Sequence, residues 1–95
     1  MKVAFNRLAS EELIAAARHL KVEANLRHAF LDEYEIWEMQ VKQFPQSFPE
    51  IAPGIRCGYL KRFKYHVTYR VEADTIRILY LRHEKQSRLK NWTRR

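Results

Sequence analysis

The chain has 95 residues, 46% of them hydrophobic and 13% aromatic, which predicts one folded domain over 1–95 and excludes a disordered tail. Its formal net charge of +7 favours a polyanion or an acidic protein as partner. No apolar run approaches a membrane span, the N-terminus lacks a signal-peptide core, and the single cysteine, Cys57, excludes an internal disulfide, so a cytoplasmic protein is expected.

Lys2 to Asn6, with Val3 and Phe5 on one side, reads as a brief strand. A helix is predicted from Leu8 or Ser10 to about Val22. Ser10 is the expected N-cap, Glu11 and Glu12 face the positive end of the helix dipole, and Leu13, Ala17 and Leu20 form the apolar stripe. A second helix is predicted from Ala24 to Phe44, because Leu26, Phe30, Tyr34, Trp37, Val41 and Phe44 recur at steps of three and four. Pro45 ends it. The break between the helices is short, which predicts an antiparallel hairpin.

PQSFPEIAPG follows, read as an extended loop with Phe48 and Ile51 available to the core. Ile55–Leu60, Arg62–Val71 and Thr75–His83 read as three strands. The second alternates strictly: Phe63, Tyr65, Val67, Tyr69 and Val71 on one side, and Arg62, Lys64, His66, Thr68 and Arg70 on the other. The third is apolar on both sides and so should lie inside the sheet. The predicted order is β-α-α-β-β-β, an α+β fold with the helical hairpin and N-terminal strand packed on one face of a small twisted sheet.

A two-residue loop at Ala73-Asp74 would pair Tyr69 with Ile78, Val67 with Tyr80, His66 with Leu81 and Lys64 with His83. Lys64, His83 and Arg62 would then converge, with Arg82 pointing to the opposite face. Loop parity leaves the face of Arg56 open. The cationic face is favoured, because an Arg beneath two helices needs a buried partner.

The charge is lopsided. Residues 1–55 carry a net −2 and residues 56–95 a net +9. Clustered cations on a sheet fit a phosphate backbone or the acidic segment of a protein, and equally a solvated basic strand. The candidate target- or phosphate-binding residues are Arg56, Lys61, Arg62, Lys64, Arg82 and His83. The four histidines show no metal-ligand spacing, so no metal or cofactor is expected. There is no phosphate-binding glycine loop, nucleophile elbow or paired-carboxylate signature.

The element order, together with GIRCGYLKRFKYHVTYRVEADTIRILYLRHEKQSRLKNW, resembles the RelE/ParE superfamily of toxins from type II toxin–antitoxin, or plasmid-stabilisation, systems. The resemblance spans nearly the whole chain. Its more specific parts are the Pro-rich loop into Gly54-Ile55-Arg56, the Phe63-Lys64-Tyr65-x-Val67-x-Tyr69 strand, and Ile76-x-Ile78-Leu79-x-Leu81-x-His83 before a basic tail with Trp92. It implies growth inhibition relieved by a cognate antitoxin. RelE-like members cleave messenger RNA in the ribosome; for these His83 would be the catalytic acid or base, with Lys64, Arg62 and Arg56 on the phosphate. ParE-like members inhibit DNA gyrase without such a site. The FKYHVTY strand and Trp92 tail resemble the ParE-like branch. The absence of a tyrosine after Tyr80 and the interruption by Glu84 depart from the ribonucleases. A non-toxic, decayed member is a third possibility.

Overall fold

In the computed structural model, which describes residues 1–20, 24–86 and 92–94, the order is β1 (Lys2–Phe5), α1 (Arg7–His19), α2 (Ala24–Gln43), β2 (Glu50–Ala52), β3 (Ile55–Leu60), β4 (Tyr65–Glu72) and β5 (Thr75–His83). The strands form one sheet ordered β1-β5-β4-β3-β2. β1 runs parallel to β5, with Lys2 beside Thr75 and Phe5 beside Ile78; the other pairings are antiparallel. This is the expected α+β architecture with one strand more. Glu50–Ala52, read as loop, pairs with β3 as a short edge strand. Its turn is built by Pro53 and by Gly54 at φ 74°, a backbone angle that favours glycine.

α1 starts earlier than Ser10. Asn6 is the N-cap, its Oδ1 accepting from the backbone N–H of Leu8 at 2.8 Å and of Ala9 at 3.4 Å. The predicted end at Val22 lies outside the described residues; the helix runs to His19, with Leu20 as its C-cap. α2 buries Phe30, Tyr34, Trp37 and Val41 as the stripe predicts. Phe44 departs from it: the helix stops at Gln43, and Phe44 stays 59% exposed.

The main core lies between the helices and one sheet face. It joins Ala9 and Ala16 of α1 and the α2 stripe to Leu60, Val67, Tyr69, Ile76, Ile78 and Leu81. A smaller cluster on the other face joins Ile55, Leu79 and Tyr80, with Ala52 and Trp92 packed against it. One irregularity serves both. The β4–β5 register runs as predicted from Glu72↔Thr75 to Tyr69↔Ile78, then slips, so that Thr68 pairs with Tyr80 and Val67 with Leu81. A bulge at Leu79 and Tyr80 supplies two consecutive residues to the second face and returns Leu81 to the first. The two-sided apolarity of this strand is therefore real, and β5 is paired along both edges where β1 reaches it, though β4 holds the middle of the sheet.

Beyond Ile78 no strand among the described residues lies beside this edge of β5, since β1 has ended. Side chains take over there. Glu12 Oε1 accepts from the backbone N–H of Leu81 at 3.1 Å, Arg94 Nη1 donates to the carbonyl of Leu79 at 3.2 Å, and the two side chains pair at 2.5 Å. Arg94 also lies 4.2 Å from the centre of the Tyr80 ring, which meets Trp92 edge-on at 5.2 Å.

Candidate functional site at the cationic end of the sheet

The site is built at the end of β3, β4 and β5 away from the Ala73-Asp74 turn. Here the bulge and the β3–β4 turn decide where each candidate points. Lys61 to Lys64 form that turn, not the start of a strand, and Lys64 sits in the left-handed region at φ 62°. The last cross-strand pair is Tyr65 with His83, where Lys64 was expected. The predicted convergence of Lys64, Arg62 and His83 is therefore corrected. His83 faces the helices with Tyr65, the rings edge-on at 5.1 Å, while the cations lie in the turn and on the opposite face.

Lys61, Arg62 and Lys64 are exposed. The Arg62 guanidinium lies 5.3 Å from the Phe63 ring centre, and its backbone N–H donates to Glu33 at 3.2 Å. Lys64 Nζ is 4.0 Å from Glu84, an exposed pair that adds little to stability. Arg82 is on the helix-free face, half-buried, directly across from His66. Arg70, further along, pairs with Glu72 at 3.5 Å. The uniformly cationic side of β4 is thus interrupted by an anion, and its Thr68 is buried at 1% exposure.

Arg56 also departs from expectation. It pairs with Tyr69, whose side chain is in the main core, so it lies on the helix-packed face. The partner such an Arg needs is the Pro-rich loop. Nη1 donates to the carbonyls of Phe48 at 2.7 Å and Gln46 at 3.2 Å, and Nη2 is 3.6 Å from Glu50. Arg56 fixes a loop.

The helix-free face holds a group that sequence reasoning missed. Tyr59, 42% exposed, stacks at 4.9 Å on exposed His66, and its hydroxyl donates to Glu84 at 3.0 Å. The same Glu84 holds Lys64, so one carboxylate organises the corner. Cys57 Sγ lies 3.7 Å from His66 Nδ1. Burial pushes the Cys57 thiol up, against a smaller lowering by its hydrogen bond with Thr68, so it stays protonated and is a poor nucleophile. The signal for this face was the four-residue turn at 61–64: once it is allowed, Tyr59 falls opposite His66.

His83 is held from three sides. Its backbone N–H donates to Gln86 Oε1 at 2.7 Å, its Nδ1 accepts the backbone N–H of Lys85 at 3.1 Å, and Tyr65 packs on the ring. The Lys85 contact fixes the neutral tautomer. With Nδ1 accepting, the proton is on Nε2, so neutral His83 offers a donor and no free basic nitrogen.

No protein-family model matches the chain, and no curated protein matches it. Among solved structures, its fold is similar to a chain of the chromosomal ParDE TA system from P. aeruginosa. The TM-score is 0.66 at 24% identity, over 87% of this chain and 95% of that one. No helix among the described residues is long and apolar enough to cross a membrane.

Proposed function

We propose that this protein is the toxin of a type II toxin–antitoxin module, acting in the cytoplasm by binding and inhibiting a type II topoisomerase and neutralised by a cognate antitoxin. The fold likeness to a chain of the ParDE TA system supports the module. The division of the site supports a binding mechanism over a catalytic one. A ribonuclease needs a base for the 2′-hydroxyl, cations on the phosphate and an acid for the leaving oxygen, gathered on one surface. Here His83 lies on the helix side and carries its neutral-state proton on Nε2, while Lys61, Arg62, Lys64 and Arg82 lie in the turn or on the other face.

The ribosome-dependent ribonuclease remains the second reading, and one observation favours it. His66, stacked on Tyr59, is paired across the strands with Arg82, so an imidazole and a cationic residue share the helix-free face. In that reading His66, not His83, would transfer the proton.

The deciding experiment induces the chain in cells and follows DNA supercoiling and message cleavage together. A topoisomerase inhibitor changes supercoiling, and its effect survives His83→Gln and His66→Gln. A ribonuclease loses ~100-fold or more in cleavage rate with one of them, the usual size of an acid–base contribution. In either reading Arg62→Gln with Lys64→Gln leaves stability unchanged and weakens growth inhibition. Full growth inhibition by that double variant at equal expression would reduce the basic turn to a solvated surface.

A further inference from the structure

α2 turns Phe30, Tyr34, Trp37 and Val41 into the core, and the opposite side of the helix is not uniformly polar. Ile36 is 58% and Met39 69% exposed there. Asp32 lies one turn before them and Gln43 one turn after, both exposed. Steps of four, three and four keep these residues on one line, the spacing by which two helices pack in a coiled coil. The charges beside the line decide what can cover it. Asp32, Glu33, Glu35 and Glu38 outnumber Arg27 and Lys42 along α2, so an anionic surface, whether lipid or nucleic acid, is repelled. The occupant must be apolar along the line, bring a cation to Glu35 and bring an acid to Lys42.

An antiparallel second copy of α2 meets all three demands. With Ile36 set on Met39 of the other copy, Met39 meets the other Ile36, and Asp32 meets Gln43. Glu35 and Lys42 each stand one position before a residue of the line, Ile36 and Gln43, so they flank the same side and meet across the axis. The other flank sets Glu33 beside Gln40, without like charges. A parallel pairing fails, because it puts Asp32 against Asp32. The Lys42 link to Glu38, at 3.7 Å, is partly exposed and can be shared. We propose that the outer face of α2 is a homodimer interface, in which Ile36 and Met39 of two copies interlock antiparallel and Glu35 pairs with Lys42 across the twofold axis. The symmetry counts every contact twice. The inference is independent of the toxin reading. The sheet lies on the other side of α2, so Lys64, Arg82 and the Tyr59–His66 stack stay open in both copies. The dimer therefore offers its basic sheet end twice.

The test is sedimentation equilibrium of the full chain over a concentration series. The apolar line is short, so a weak dimer with a Kd of about 10–100 µM is expected. Met39→Glu should weaken it about 100-fold or more, since two covered methionines are lost and two charges enter the seam. Glu35→Lys alone and Lys42→Glu alone should each weaken it about tenfold, as two opposite-charge pairs become two like-charge pairs. Combining Glu35→Lys with Lys42→Glu should restore the parent Kd. All three positions are exposed, and thermal melts should show every variant folded. A parent chain that stays monomeric at about 1 mM, well above the expected Kd, overturns the dimer. An unchanged Kd for Met39→Glu overturns this face as its seat, and a double variant as weak as the singles overturns the antiparallel register.

Discussion

The indole of Trp37 lies against the backbone of Gly58, so close that a Cβ at Gly58 would sit 1.9 Å from Nε1 and 2.6 Å from Cε2. Gly58 is thus the gap in β3 that lets α2 come down onto the sheet. Gly58→Ala should cost about 1–3 kcal/mol as overpacking, and Trp37→Ala about 3 kcal/mol or more as a cavity. The two changes should be strongly non-additive, since each removes one side of the same contact. Thermal melts of both singles and the double check this; simple additivity would mean that the indole can swing clear.

Arg56 gives a second prediction. Arg56→Lys should destabilise nearly as much as Arg56→Ala, by about 1.5–3 kcal/mol, because an ammonium cannot span the Gln46 and Phe48 carbonyls with Glu50. The loop from Pro45 to Gly54 should become the first site of limited proteolysis. Unchanged cleavage there would show that the loop holds itself.

Ala73 occupies the left-handed region at φ 51°, where its Cβ is unfavourable. Ala73→Gly should raise stability by about 0.5–1 kcal/mol, the relief of strain less the entropy glycine adds to the unfolded chain. Chemical denaturation measures the gain. A loss would mean that the turn relaxes in solution.

The pH prediction concerns tyrosines. Burial raises Tyr69 to about 12, and its hydroxyl donates to the Pro45 carbonyl at 2.6 Å; burial, then the charge of Glu38, raises Tyr34 further. Above the ordinary value near 10 the unfolded chain loses these protons while the folded one keeps them. The stability they contribute is complete below pH 10 and declines as pH rises from 10 towards 12. Alkaline titration followed by tyrosinate absorbance and far-ultraviolet circular dichroism should show unfolding and ionisation together. Tyr34→Phe should flatten the decline. Ionisation of all tyrosines near 10 with the fold intact would contradict it.

Much of this architecture was legible in the sequence because it rests on period. The α2 stripe and the alternation of β4 each bury one side, and a shifted register would expose it. The misreadings share a different origin, in contacts that no local pattern records. Asn6 outcompetes Ser10 as the cap because β1 delivers the chain to α1 just there, its N–H already bonded to Ile78. The bulge at Leu79 and Tyr80 is drawn by a second apolar cluster that needs Trp92 from far along the chain. Arg56 passes beneath the helices because the Pro-rich loop brings carbonyls to it. For the site, composition located the basic end; the side of the sheet on which each group stands depended on that bulge and on a four-residue turn without glycine.

The pairing of Glu12 with Arg94 joins residues 82 positions apart, and β1 waits similarly for β5. Chains emerge from the ribosome N-terminus first, at about 5–20 residues per second. The nascent polypeptide therefore holds its first strand and first helix without their neighbour in the sheet until β5 has been made. Sheet closure is a late event, and a truncated translation product lacks the means to complete the edge of β5.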